Sequence, residues 1–341
     1  MVAQVDLKIS HAISYDSKQF IATKNLTDPH RLLIFILSLS YGFALCLIPT
    51  EAYSDFGNYL SYAEYSLEIL DDMVSGGGLA LFTNEPLWLI GNALLALLFQ
   101  PEEVVRTIIF ISAFTVAYTT LISKPKNTIW ILLLLISPII VKNHLVHIRQ
   151  GAAIAVFLAG WFFSQNNWRY LLFGITPFIH SSFFIVIFLL ILTKAMLSIQ
   201  LGPVLRSIIF FLIGITIGFA LLSVAALFGT RQGLETEYTK LGTSGLGFIF
   251  WFFIGMLMLC NRQTVMRSHV FEIGCIQVYL GAYFFTEITA RVFESTILLV
   301  YLAGLGMKGW HLLTFKTSII ASLAFLWLSR ANAPGFGFIA S

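Results

Sequence analysis

Leu32-Leu33-Ile34-Phe35-Ile36-Leu37-Ser38-Leu39-Ser40-Tyr41-Gly42-Phe43-Ala44-Leu45-Cys46-Leu47-Ile48 is an uncharged, almost wholly apolar run closed by Pro49. A helix needs about 20 such residues to cross the hydrocarbon core of a bilayer, so the run reads as a first membrane span. Its flanks orient it. Lys8, Lys18, Lys24 and Arg31 precede it. The stretch Thr50–Asn84 that follows holds Glu51, Asp55, Glu64, Glu68, Asp71 and Asp72, and neither lysine nor arginine. Basic residues stay on the cytoplasmic side of a span. This predicts a cytoplasmic N-terminal tail over 1–31 and an outer acidic loop over 50–85. The tail has no apolar core of signal-peptide length, so the first span reads as uncleaved.

The whole chain repeats that character. Of 341 residues, 58% are hydrophobic and only 11% charged, and mean hydropathy is +0.86. A soluble domain carries about 25% charged residues. The composition therefore excludes a soluble enzyme, a nucleic-acid binder and a disordered chain. The fold class it predicts is all-α, a polytopic helical bundle in the membrane. About nine to twelve transmembrane or re-entrant helices would occupy one domain over 32–330, with a short tail over 331–341. Cys46, Cys260 and Cys275 lie in or beside apolar runs with neither metal nor redox spacing, and read as small buried hydrophobes.

Sidedness turns on Pro86–Phe99. If this segment crosses, Lys124 and Lys126 fall outside. If it dips in and returns, they fall inside with Arg169, Lys194, Arg206, Arg262, Arg267, Lys308 and Lys316. The basic-residue bias favours the second arrangement. It also makes Tyr170–Thr193 a hairpin with His180 at its tip.

Several sites carry chemistry. In Lys142-Asn143-His144-Leu145-Val146-His147-Ile148-Arg149-Gln150-Gly151-Ala152-Ala153, Arg149 and Gln150 fall in the first turn of a helix beginning near Ile148. A cation there opposes the helix dipole. A helix N-terminus plus a guanidinium is, however, an anion site; the alternative is an arginine snorkelling to the headgroups. His144 and His147 share a face at spacing three. His180 sits among apolar residues and faces either a cavity or a backbone partner; as an imidazole it suits proton transfer. Arg291 is flanked by Glu287 and Glu294, which are either intrahelical partners or neighbours of a second anion clamp. In the acidic loop, Asp55, Tyr59 and Tyr62 fall three or four apart, as on one helical face. With Glu85 and Trp88 they combine carboxylates and rings, a pairing suited to sugars. Arg231 and Tyr238 lie in a late outer loop, either lining a cavity or facing water. No phosphate loop, serine elbow or metal-ligand spacing is present, so neither a metal nor a cofactor is expected.

Read in order, Asp55-x-x-x-Tyr59, Glu85-Pro86-Leu87, Ile148-Arg149-Gln150 with the small residues to Ala153, Phe178-Ile179-His180-Ser181-Ser182, and Ala290-Arg291-Val292-Phe293-Glu294 resemble the EpsG branch of Wzy-type polysaccharide polymerases. The resemblance runs from about Leu32 to Gly306. It implies a GT-C-like helical fold in the bacterial inner membrane. It also implies joining of oligosaccharide repeat units carried on undecaprenyl diphosphate at the periplasmic face. The growing chain would pass to the non-reducing end of the incoming unit, without nucleotide sugar or metal, in the company of a separate chain-length regulator. On this reading Arg149 and Arg291 meet the charge of the leaving diphosphate, and Gln150 orients it. His180 takes the acceptor's proton, with Asp55 and Glu85 as alternatives. Tyr59, Tyr62 and Trp88 hold sugars, and His144, His147, Arg231 and Tyr238 are further substrate contacts. The rival readings are a lipid-linked oligosaccharide flippase or exporter, and an O-antigen ligase or membrane acyltransferase.

Overall fold

Lipid offers backbone groups no hydrogen bonds, so a chain of this composition satisfies them within helices. The computed structural model describes residues 28–49, 53, 55–75, 84–163, 167–227, 245–261, 268–285 and 288–333. Among them are 14 α-helices and no strand. Four are long and apolar enough to cross a membrane, beginning at Pro29, Pro101, Pro203 and Gly309. A bent pair, Pro125–Leu135 with Pro138–Leu145, would make a fifth. The described residues up to Phe183, with those from Ile320, form one compact unit; Phe184–Ile319 forms a second.

In the first unit, α1 (Asp28–Cys46) is followed by α2 (Phe56–Ser75), α3 (Pro86–Ala96) and α4 (Pro101–Ser123). α1 and α4 run antiparallel. Phe35 packs on Phe114 and Phe43 on Phe110, with ring centroids 5.6 and 4.7 Å apart. At the end of the pair, Arg106 Nη1 donates to the Cys46 carbonyl at 2.7 Å. The segment holding α2 and α3 therefore leaves and re-enters at the same end of this pair. Lys124 and Lys126, just past α4, lie at the opposite end, where α1 begins. The hydroxyls of Ser112, Thr119, Thr120 and Ser123 in α4 all bond to carbonyls three or four residues back, so none is left unsatisfied in the apolar core.

Next come α5 (Thr128–Leu135) and α6 (Pro138–Leu145), bent by 71° at the break. Pro138 causes the break, because its ring has no N–H to continue α5. The Leu135 carbonyl, orphaned there, accepts from the Tyr41 hydroxyl at 2.9 Å. α7 (Ile148–Phe162) then runs along α4, and Phe163 stacks on Tyr118 at 5.7 Å. The N-terminus of α7 thus points toward the Cys46 and Arg106 end. α8 (Asn167–Ile175) climbs back beside α7, where Phe173 meets Phe157 at 4.8 Å. After a 3₁₀ turn over Thr176–Phe178 the chain reverses, and Phe183 returns to Phe157 at 5.5 Å. His180 occupies the tip of that reversal.

The second unit begins within α9 (Phe183–Ser198) and holds α10 (Pro203–Leu227), α11 (Leu246–Cys260), α12 (Val270–Ala282) and α13 (Ile288–Gly304), and then the start of α14 (Gly309–Arg330). α10 and α12 run parallel and close. The ring of Phe210 covers Gly274, the Val278 carbonyl presses on Gly214, and Phe285 sits beside Gly218. Without a hydrophobic drive between helices in lipid, small residues permit this backbone approach. α11 and α13 flank α12 through Trp251, Tyr279 and Phe293, with ring distances of 4.5–4.6 Å. Cys46 and Cys275 are buried, as the sequence suggests; Cys260, at the last turn of α11, is exposed.

Candidate functional site

The site is built around Glu85, which immediately precedes α3. Its backbone is left-handed, with φ 61° and ψ 53°, a conformation costing a non-glycine residue roughly 1–2 kcal/mol. The right-handed region is also disfavoured before a proline, and Pro86 follows. Strain of this kind persists where surrounding contacts over-determine it, and here the contacts are on the carboxylate. Oε2 accepts from Arg149 Nη1 at 2.5 Å. Oε1 accepts from His180 Nδ1 at 2.8 Å and from the Ser181 N–H at 2.9 Å. The Glu85 side chain is 5% exposed, that of His180 9% and that of Arg149 32%. Three separate sequence features thus converge on one buried carboxylate whose cationic partner reaches the surface.

Burial alone would raise the Glu85 carboxyl. The His180 and Arg149 charges beside it, with hydrogen bonds from His180 and the Ser181 backbone, overcome burial and hold it down to about 2. Glu85 is therefore ionised at neutral pH with both oxygens engaged. An ionised carboxylate only accepts, which makes Nδ1 of His180 the donor and leaves Nε2 as its other face.

Arg149 falls in the first turn of α7, and the dipole conflict seen in the sequence is answered by the Glu85 anion. Its guanidinium carbon lies 5.3 Å from the centroid of the Tyr62 ring, within cation–π range. α2 supplies this ring, together with Tyr59. Tyr59, Tyr62 and Trp88 form a triangle: Trp88 is edge-on to Tyr59 and Tyr62 at 5.8 and 6.4 Å, and the two tyrosine rings are tilted 6.5 Å apart. Tyr59 is buried and donates to the Val146 carbonyl at 3.0 Å, so α2 clamps the turn that leads into Arg149. Burial pushes its phenol up to about 12, keeping it a neutral donor. Asp55 stands one turn before Tyr59, half-buried, its carbonyl accepting from the Tyr59 N–H at 3.2 Å.

The small residue after Arg149-Gln150 has a physical reason. A Cβ on Gly151 would run into the Asn143 carbonyl and come within 3.0 Å of His144 Nδ1, so α7 starts directly against the end of α6. His144 is buried in the core, bonded through Nδ1 to Ser112 Oγ at 3.1 Å and edge-on to Tyr41. His147 sits at the N-cap of α7, half-buried, and Gln150 is buried in its first turn. The structure thus assembles Glu85, Arg149, His180, Tyr59, Tyr62 and Trp88, while His144 turns into packing. Arg291 opens α13 in the second unit, its carbonyl accepting from Ser295 Oγ at 3.0 Å. Arg231 and Tyr238, and the Glu287 expected beside Arg291, lie outside the described residues. The Ser181 N–H, which sequence reasoning passed over, joins the site because it follows His180 at the tip. Among the described residues no group of three or more His, Cys, Asp or Glu side chains is arranged to hold a metal ion.

The site lies at the end of the α1–α4 pair marked by Cys46 and Arg106, away from Lys124 and Lys126. A family model described as the EpsG family matches residues 31–339. Searches of curated proteins and of solved structures each return no match.

Proposed function

The chain belongs to the EpsG family, whose role is of the polysaccharide-polymerase type, and from that premise we propose that it joins lipid-linked oligosaccharide repeat units at the outer face of the bacterial inner membrane. The carriers would be undecaprenyl diphosphates, and the growing chain would move onto the non-reducing end of the incoming unit. The observation that carries this reading is Arg149: a partly exposed guanidinium in the first turn of α7, backed by Glu85 and beside His180. Charge grows on the diphosphate as the glycosidic bond breaks. A preorganised cation at a helix N-terminus stabilises that charge in the transition state. One Arg149 nitrogen is committed to Glu85, and the exposed part of the side chain is available to a phosphate. Tyr62, on which Arg149 rests, and Trp88 offer ring surfaces for sugars. In this orientation residues 1–31 are cytoplasmic and α2 with its acidic residues is outside. A separate length regulator is the expected partner.

The test is direct. The purified protein, in vesicles with lipid-linked repeat units, yields a ladder of longer chains that persists in chelator and is lost in Arg149→Ala. Movement of intact units across the bilayer without elongation would instead identify a flippase. Transfer to a lipid acceptor without elongation would identify a ligase.

A further inference from the structure

We propose that Glu85 is a positioning residue that acts on the reaction through His180, fixing the imidazole by Nδ1 so that Nε2 takes the proton of the attacking hydroxyl. This rests on the polymerase reading above and assigns the proton acceptor that the reading requires.

Three observations carry it. Glu85 Oε1 and His180 Nδ1 are 2.8 Å apart, in a pocket where both side chains are nine-tenths or more buried. A carboxylate held this close to a ring nitrogen selects the tautomer and orientation of the ring. The same oxygen accepts the N–H of Ser181, so the backbone that carries the ring is held as well. The other carboxylate oxygen is tied to Arg149, which supplies the opposing charge that keeps Glu85 an acceptor. The strained backbone of Glu85 marks the expense of bringing the carboxylate to this point.

The step balances simply. The acceptor hydroxyl oxygen forms a bond to the anomeric carbon of the growing chain. The bond from that carbon to the diphosphate oxygen breaks, and its electron pair leaves on the diphosphate, beside Arg149. The hydroxyl proton passes to His180 Nε2 and is released to water before the next turnover. Glu85 stays ionised throughout and touches neither substrate nor reacting atom.

Two measurements test this. In vesicles supplied with lipid-linked units, Glu85→Gln lowers kcat about 100-fold, the usual scale of a disabled general base. In a His180→Ala background the same change lowers the residual kcat by about tenfold or less, because only the bond to Arg149 is left for it to disturb. Equal losses in both backgrounds, or a fully active Glu85→Gln, would overturn the proposal. The second measurement needs no turnover. Nitrogen-15 spectra of histidine-labelled protein, with His180 identified by its loss in His180→Gln, place the proton of the neutral ring on Nδ1. A ring protonated on Nε2, or a mixture, overturns the proposal even if Glu85→Gln fails to fold. Wild-type protein that makes no ladder sinks the polymerase reading alone, and the spectra still decide the Glu85–His180 pairing.

Discussion

Arg149 Nη1 and Glu85 Oε2 stand 2.5 Å apart although 64 positions separate them in the chain. The pair joins the first turn of α7 to the residue that launches α3, and His180 completes it from the tip of a third segment. Removing Arg149 therefore removes the charge that balances a buried carboxylate and, on the proposed function, a donor to the phosphate. Arg149→Ala is expected to lower kcat/KM by about 100-fold or more, the scale for losing one preorganised donor. Arg149→Lys keeps the charge but loses the planar fork, and falls between the two. Polymerisation assays on the purified variants check the order. The Ala variant is also expected to melt at a lower temperature, since Glu85 then lacks one of its partners.

Gly151 sets how closely α7 approaches α6. Gly151→Ala drives a methyl group into the Asn143 carbonyl, which is backbone and moves only with α6. A destabilisation of about 1–3 kcal/mol is expected, with loss of activity because Arg149 is two residues away. Gly174→Ala in α8 meets no atom within 4 Å. It is expected to be neutral or stabilising by up to about 1 kcal/mol. Thermal melts of the two variants side by side distinguish local crowding from a general intolerance of alanine.

These residues show which parts of the molecule were legible in the sequence. The spans were readable because lipid allows few alternatives to an apolar helix. The α2 face was readable because Asp55, Tyr59 and Tyr62 keep helical spacing. Counting lysines and arginines predicts that α3 dips in and returns; the bond from Arg106 to Cys46 brings the end of α1 to the start of α4. The meeting of Glu85, Arg149 and His180 was not readable, since it joins side chains 64 and 95 positions apart and depends on how the helices pack rather than on any local pattern. One hint existed: an arginine in the first turn of a helix opposes the dipole and calls for an anion. His144 carries the same side chain as His180 and also lies in an apolar setting. Only packing, which gives it Ser112 and Tyr41, separates their roles.

The low Glu85 pKa fixes how stability responds to acid. The group is lowered in the folded protein from 4.5 to about 2. Its contribution is therefore fully present above pH 4.5 and is lost as pH falls toward 2. Wild type is expected to melt above Glu85→Gln at pH 7 and at pH 5, and the gap is expected to close between about pH 4 and pH 2. A gap that stays constant to pH 2 would show that Glu85 is not an ionised partner of Arg149 and His180.

The dip-and-return arrangement makes a prediction that needs no substrate. Gly57 is exposed at the start of α2, beyond the Cys46 end of α1. Lys126 is exposed just past α4, at the opposite end of the α1–α4 pair. With the exposed Cys260 first changed to serine, single cysteines at Gly57 and Lys126 are expected to react with a membrane-impermeant thiol reagent from opposite sides. In intact cells Gly57→Cys labels, and Lys126→Cys labels only after the membrane is opened. The basic residues that precede Leu32 predict this polarity, through retention of Lys and Arg on the cytoplasmic side. Labelling of both from one side would mean that the α1–α4 pair does not span the bilayer. Reversed labelling would put Arg149 at the cytoplasmic face, where a lipid-linked chain could not be extended outside the cell.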